Sequence, residues 1–139
     1  MIEFSFETAF VFLNEKSISN WISKTIRNEH YNEGEISYVF CSDNYLLKIN
    51  TNYLKHNTLT DIITFDYSLG MQINTEIYIS IDRVKVNAEK FNTTFENELH
   101  RVIIHGVLHL CGYKDKDKEE RVIMRNKEDY YLSLLTFSK

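Results

Sequence analysis

The residues best suited to chemistry are two histidines and an acid in the last third of the chain. His105 and His109 are four residues apart, and on an α-helix such residues differ by only about 40° around the axis. Gly112 offers the left-handed backbone that ends a helix, so the chain can turn back and bring Asp115 over the same face. Two imidazoles and one carboxylate leave the fourth tetrahedral position of a zinc ion open, as in catalytic sites. The spacing therefore predicts one zinc ion per chain, held by His105, His109 and Asp115.

Two neighbouring side chains could compete for the same role. Asp117 is an alternative third ligand, although residues 114–120 alternate in charge and are typical of a solvated loop and a helix start. His100 lies five residues before His105, roughly 140° away around a helix, so we expect it to bind no metal.

The ligand spacing also matches the metzincin protease motif H-E-x-x-H-x-x-G-x-x-H. Those proteases need a glutamate directly after the first histidine as general base. Gly106 occupies that position here and can take no proton. Peptide hydrolysis by that mechanism is therefore disfavoured.

The composition is that of a globular protein, and we expect one domain over residues 1–139. The net charge is −4, so any nucleic-acid surface must be a local basic patch. No apolar run reaches the roughly 18–20 residues of a membrane span, and the N-terminus lacks the basic region of a secretory signal. Cys41 and Cys111 are too few for a disulfide framework. These features predict a cytoplasmic protein with reduced, buried thiols.

Hydrophobic periodicity predicts four strands and five helices. The strands are expected over 2–8, 36–42, 61–68 and 76–81, and the helices over 17–29, 44–54, 82–91, 95–111 and 119–137. Ser17 and Ser42 are candidate caps of the first two helices. This pattern predicts an α+β fold, a mixed sheet packed with helices, with the metal site on a helix and the following loop. The order of the strands stays open.

The segment from His105 to Asp115 resembles the signature of a known family. The signature of the YbeY family of bacterial rRNA-maturation metalloendoribonucleases is H-G-x-x-H-x-x-G-Y-D-H. Five positions match it directly: His105, Gly106, His109, Gly112 and Tyr113. The family's third ligand, usually histidine, falls on Asp115, and its preceding aspartate falls on Lys114. A carboxylate remains a competent zinc ligand.

The resemblance extends over roughly residues 36–137. Residues 50–53 and 60–65 are similar to the family's N-x-x-Y-R and T-D-V-L-S-F segments, and residues 76–80 resemble its G-D-I-x-I-S strand, with Thr75 where glycine is usual. Met124 fits the final helix. The basic residue that follows the tyrosine in the family, thought to help handle RNA, falls on Leu54.

The resemblance implies a zinc-dependent endoribonuclease specific for single strands, which acts in 16S rRNA 3′-end maturation and ribosome quality control. Its implied partners are single-stranded RNA, in particular rRNA, and the ribosome or small-subunit proteins. Zinc-activated water would attack phosphorus or take the 2′-OH proton, and the residues do not choose between them. The phosphate-binding candidates are Lys55, Arg83, Lys85 and Arg101.

Two other functions compete with this one. A metal-stabilised ribosome assembly factor without nuclease activity is favoured by Leu54, whereas the open three-ligand site speaks against it. A metallohydrolase of peptides or small esters is disfavoured because no glutamate follows His105.

Overall fold

The computed structural model of the chain describes residues 1–54 and 58–135. These residues form four strands and five helices, in the predicted order along the chain. The elements are β1 (Ile2–Phe6), α1 (Glu15–Asn28), β2 (Asn32–Cys41), α2 (Asp43–Tyr53), β3 (Ile62–Asp66), β4 (Gln72–Ser80), α3 (Ile81–Lys90), α4 (Phe95–Leu110) and α5 (Lys118–Ser133). The predicted α+β class is confirmed.

The strands form one mixed sheet in the order β1-β2-β4-β3. Strands β1, β2 and β4 run parallel, and β3 is antiparallel to β4, with Ile62 opposite Ile79. This register places the start of β3 beside the end of β4. The segment that leads into β3 is thereby held at that edge of the sheet.

Two strands begin earlier than their polar sequences predicted. Strand β2 starts at Asn32 and β4 at Gln72, and these two residues pair with each other. The register is irregular between Glu33 and Ile36. A Cβ added at Gly34 would lie 2.6 Å from the Ile73 carbonyl oxygen, so the close approach of the two strands requires glycine there. Pairing between strands extends the sheet where local propensity does not.

The two faces of the sheet carry different cores, because side chains alternate along each strand. On one face Ile77 and Ile79 join the main core with α1, α3 and α4. On the other face Tyr78 packs with a smaller cluster that contains Leu46 of α2 and Ile63. Helix α4 lies in the main core with Ile103, Ile104 and Val107 fully buried, so its position is set by the sheet beneath it.

The helix caps are partly as predicted. The Ser42 hydroxyl accepts the Tyr45 N–H, and Thr94 caps α4 in the same way. The prediction of Ser17 as a cap is wrong, since α1 begins two residues earlier, after Asn14 with a left-handed backbone and no side-chain cap. No helix among the described residues is long and apolar enough to traverse a lipid bilayer.

Candidate metal centre

His105 and His109 lie one turn apart on the last part of α4 and face the same way. Their rings are parallel to within 6°, with centroids 6.4 Å apart. This arrangement is what their spacing of four residues predicted.

The turn after α4 is the one that the glycine predicted. Gly112 has φ +100°, and its N–H donates to the His109 carbonyl at 3.1 Å. The Tyr113 N–H donates to the Leu108 carbonyl, also at 3.1 Å. These two bonds are those of a Schellman motif, which ends the helix and reverses the chain.

The reversed chain brings Asp115 back to the first histidine. Its Oδ2 lies 3.2 Å from Nε2 of His105. Asp117 instead caps α5: its side chain accepts the Glu120 N–H at 2.8 Å, and Glu120 completes the capping box. The structure thus brings Asp115 and not Asp117 to His105.

A buried acid on α5, Glu128, holds the other side of the His105 ring. Its Oε2 lies 2.6 Å from Nδ1 of His105, and its side chain is only 6% exposed. Its Oε1 accepts from Arg101 at 2.9 Å. A carboxylate oxygen accepts, so Nδ1 of His105 donates to Glu128, and Nε2 faces Asp115.

The second imidazole is oriented in the same sense. Nδ1 of His109 lies 3.1 Å from the Tyr113 carbonyl oxygen, which can only accept, so this nitrogen is also the donor. When His109 is neutral, its Nε2 keeps a lone pair. Hydrogen bonds from Nδ1 to a carboxylate or a carbonyl are the usual way in which proteins orient metal-binding histidines.

The donor groups suit zinc in their chemistry and orientation. Within residues 1–54 and 58–135, however, no three His, Cys, Asp or Glu side chains already stand close enough together to hold an ion. His105 and Asp115 meet, and His109 lines the same cavity. His109 is exposed and Asp115 half-buried, so either side chain has room to complete the set.

Burial and negative charge act against each other on His105. Burial lowers its pKa, but the hydrogen bond and charge of Glu128, together with the charges of Asp115 and Asp61, outweigh burial and hold the pKa above its usual value. Burial raises the pKa of Asp61, although the charge of His105 opposes this. The site is thus an imidazole surrounded by carboxylates, a setting that favours a cation.

Two cavities flank the His105–Asp115 pair, and both are bordered by Asp61 at the start of β3. The α2 cavity, of about 530 Å³, lies towards Leu54 and contains His109 in its wall. The α5 cavity, of about 670 Å³, lies between α4 and the first half of α5. A ligand bound at His105 would have space on both sides.

The predicted phosphate-binding residues lie in different places. Lys55 falls outside the described residues. Arg83 pairs with Asp43 at 2.8 Å, and neither it nor the exposed Lys85 borders the two cavities. Arg101 does border the α5 cavity, but Glu128 and Asp129 hold it at 2.9 and 2.6 Å. It therefore has less freedom to meet a substrate than its position suggested.

Two other residues are explained by packing. His100 is buried and meets Trp21 edge to face. A Cβ at Gly106 would lie 3.0 Å from Ile62 and 3.2 Å from Ile77, so position 106 points into the core. These two isoleucines leave little room for a side chain at position 106.

Glu128 and Asp61 were not identified as site residues from the sequence. One signal was available for Glu128. It lies four residues after Met124, which is buried, so it shares the inward face of α5. A buried acid on such a face needs a cationic or donor partner.

Comparison with known proteins agrees with this geometry. The family model described as Endoribonuclease YbeY matches residues 3–136. The chain belongs to the YbeY family. Relatives named Endoribonuclease YbeY include those of Flavobacterium psychrophilum and Flavobacterium johnsoniae, 57% and 52% identical over 134 residues, with 96% of each chain covered. That of Christiangramia forsetii is 50% identical over 133 residues, which cover 96% of this chain and 93% of the relative.

The fold is shared with a solved structure. The solution structure of TM1509 from Thermotoga maritima superposes with a TM-score of 0.68 at 26% identity, over 97% of this chain and 89% of that one. The family resemblance and the fold class are both confirmed. YbeY membership also confirms that the chain is a hydrolase of the endoribonuclease kind.

Proposed function

We propose that this YbeY-family chain is a zinc-dependent endoribonuclease that cuts single-stranded RNA, with rRNA as its substrate. The proposal extends to 3′-end maturation of 16S rRNA and to ribosome quality control, in the cytoplasm and in contact with the ribosome or small-subunit proteins. His105, His109 and Asp115 would hold one zinc ion. The observation that carries the proposal is the pair of imidazoles whose Nδ1 atoms are both engaged, on a cavity that Asp115 also borders.

Each residue has a defined part in this proposal. When bound, zinc supplies a Lewis acid and lowers the pKa of water toward neutrality. Glu128 fixes the ring of His105 and directs Nε2 toward the site. The Tyr113 carbonyl does the same for His109, and Gly112 makes the turn that places that carbonyl. Asp61 adds a second carboxylate at the border of both cavities.

One observation favours the assembly factor without nuclease activity. Leu54 stands where the family has a basic residue, and no lysine or arginine of the described residues lines the α2 cavity around it. The described residues of that cavity thus offer RNA phosphates no lysine or arginine. The enzymatic proposal therefore needs a cation elsewhere.

The test is cleavage of a labelled single-stranded RNA by the zinc-loaded protein, with the duplex of the same sequence beside it. We expect cuts in the single strand alone, lost with a chelator and in His109→Ala. His30→Asn is the matched control, because His30 is an exposed histidine outside both cavities whose left-handed backbone asparagine tolerates. It should cleave as the wild type does.

Two results would contradict the proposal. Undiminished cutting by His109→Ala would identify a contaminating nuclease. Binding of one zinc ion without any cutting would favour the assembly factor.

A further inference from the structure

The two cavities beside His105 differ in the cationic side chains that line them. Among the described residues, the α2 cavity is lined by no lysine or arginine, and its polar groups include Asn50, Thr58 and Thr60. The α5 cavity is bordered by four acids, Asp61, Glu98, Asp115 and Glu128, and by four cations. Of the cations, Arg101 is held by two acids. The other three belong to the first half of α5.

Lys118, Arg121 and Arg125 lie on one side of α5. Their spacing places them within about 60° around the helix axis and over about 10 Å along it. All three are exposed and border the α5 cavity. They therefore form a short positive track, the α5 track, that leads to the His105–Asp115 pair.

Some of the acids near the α5 track bind other groups, whereas Glu98 borders the same cavity and interacts with the charge of Arg125. Glu120 completes the capping box of α5, and Glu128 and Asp129 bind Arg101. Arg125 is only at the edge of ion-pair distance from Glu128, 4.0 Å, and Arg121 donates to the Lys116 carbonyl. Among the described residues, Lys118 and Arg121 form no ion pair and Arg125 forms only this long one, so all three side chains can meet a phosphate.

We propose that the RNA backbone on one side of the cut runs along the α5 track, where Lys118, Arg121 and Arg125 bind its phosphates. This inference rests on the proposed endoribonuclease function and names the path of its substrate. The track replaces the positive charge that Leu54 lacks on the opposite side of the site. It also gives this chain, with a net charge of −4, the local basic patch that RNA binding requires.

Binding of a short labelled single-stranded RNA to the metal-free protein tests the proposal without cleavage. In single strands each phosphate contact contributes about 0.7 to the slope of log affinity against log salt. Changing Lys118, Arg121 and Arg125 together to glutamine should therefore lower the magnitude of that slope by about 2. Affinity should fall by about tenfold, from three exposed charge contacts.

A control of equal charge change separates a local track from bulk electrostatics. Lys16, Lys24 and Arg27 are exposed cations on α1, and none of them borders either cavity. Their combined change to glutamine should leave the slope at the wild-type value. Arg121→Lys with Arg125→Lys, which keeps both charges, should also keep it and would show that the fold is intact.

Equal slopes for the α5-track and α1 variants would overturn the inference, as would a wild type that does not bind the RNA. Neither result depends on cleavage. A wild type that cuts RNA while the α5-track variant binds as the control does would refute the track and leave the proposed function standing. A chain that fails to cut but loses RNA affinity only in the α5-track variant would do the reverse.

Discussion

Replacing Glu128 by glutamine should separate the orientation of His105 from the rest of the site. The carboxylate is 6% exposed and accepts two charge-assisted hydrogen bonds, from His105 at 2.6 Å and from Arg101 at 2.9 Å. Glutamine has nearly the same shape, but its amide nitrogen cannot accept. One of the two donors must therefore lose its partner.

The expected sizes follow from those contacts. A buried polar group left without its partner costs about 1–3 kcal/mol of unfolding free energy. Arg101 keeps Asp129 at 2.6 Å, so most of the loss should fall on His105. Loss of the residue that orients a metal-binding histidine lowers metal affinity by about 10- to 100-fold. We expect both effects in Glu128→Gln.

The assays are zinc titration against a competing chelator and unfolding in urea. Asp129→Asn is the matched control, because Asp129 binds the same arginine, is 56% exposed and has no contact with His105. It should cost less than about 1 kcal/mol and leave zinc affinity unchanged. Wild-type zinc affinity in Glu128→Gln, or an equal loss in Asp129→Asn, would refute the orienting role of Glu128.

Three further predictions concern the acids after α4, the turn at Gly112 and the pH dependence due to His105. Asp115→Ala should lower zinc affinity. Asp117→Ala should leave zinc affinity unchanged but lower the unfolding free energy by about 1 kcal/mol, because the α5 cap is lost. Unchanged zinc stoichiometry and affinity in Asp115→Ala would remove that residue from the site. Gly112→Ala should cost about 1–2 kcal/mol in urea unfolding, because its φ is +100°; a cost near zero would show that the turn tolerates a side chain. In the metal-free protein the raised pKa of His105 stabilises the fold. This contribution is complete at pH values below the pKa of His105 in the unfolded state, near 6.5. It disappears as the pH rises through the higher pKa of the folded state. Unfolding free energies of wild type and His105→Gln across that window should therefore converge as the pH rises, and a constant difference would contradict the shift.

The fold was largely predictable because its signals are local. The apolar spacing of α4 and the alternation along β4 depend on residues within a few positions of each other. The early starts of β2 and β4 were not predictable, since Asn32 and Gln72 are polar and join the sheet only by pairing with each other. The β-propensity of single residues predicts strand ends poorly where pairing with a neighbouring strand determines them.

The sequence by itself determined the geometry of the two histidines and the turn after them. His105 and His109 share a face because 3.6 residues make a helical turn, and Gly112 ends the helix because its backbone can be left-handed. The YbeY signature lies in the same segment, from His105 to Asp115, so it too could be identified from the sequence alone.

Only the tertiary structure decided which distant groups surround that pair. Glu128 is 23 residues beyond His105 along the chain and reaches it because α5 packs against α4. The same packing gives Asp117 to the α5 cap, leaves Asp115 at His105 and places the α5 track beside the site. Contacts between elements arise because apolar faces are buried against each other. The local spacing of residues does not specify which residues of two elements will meet.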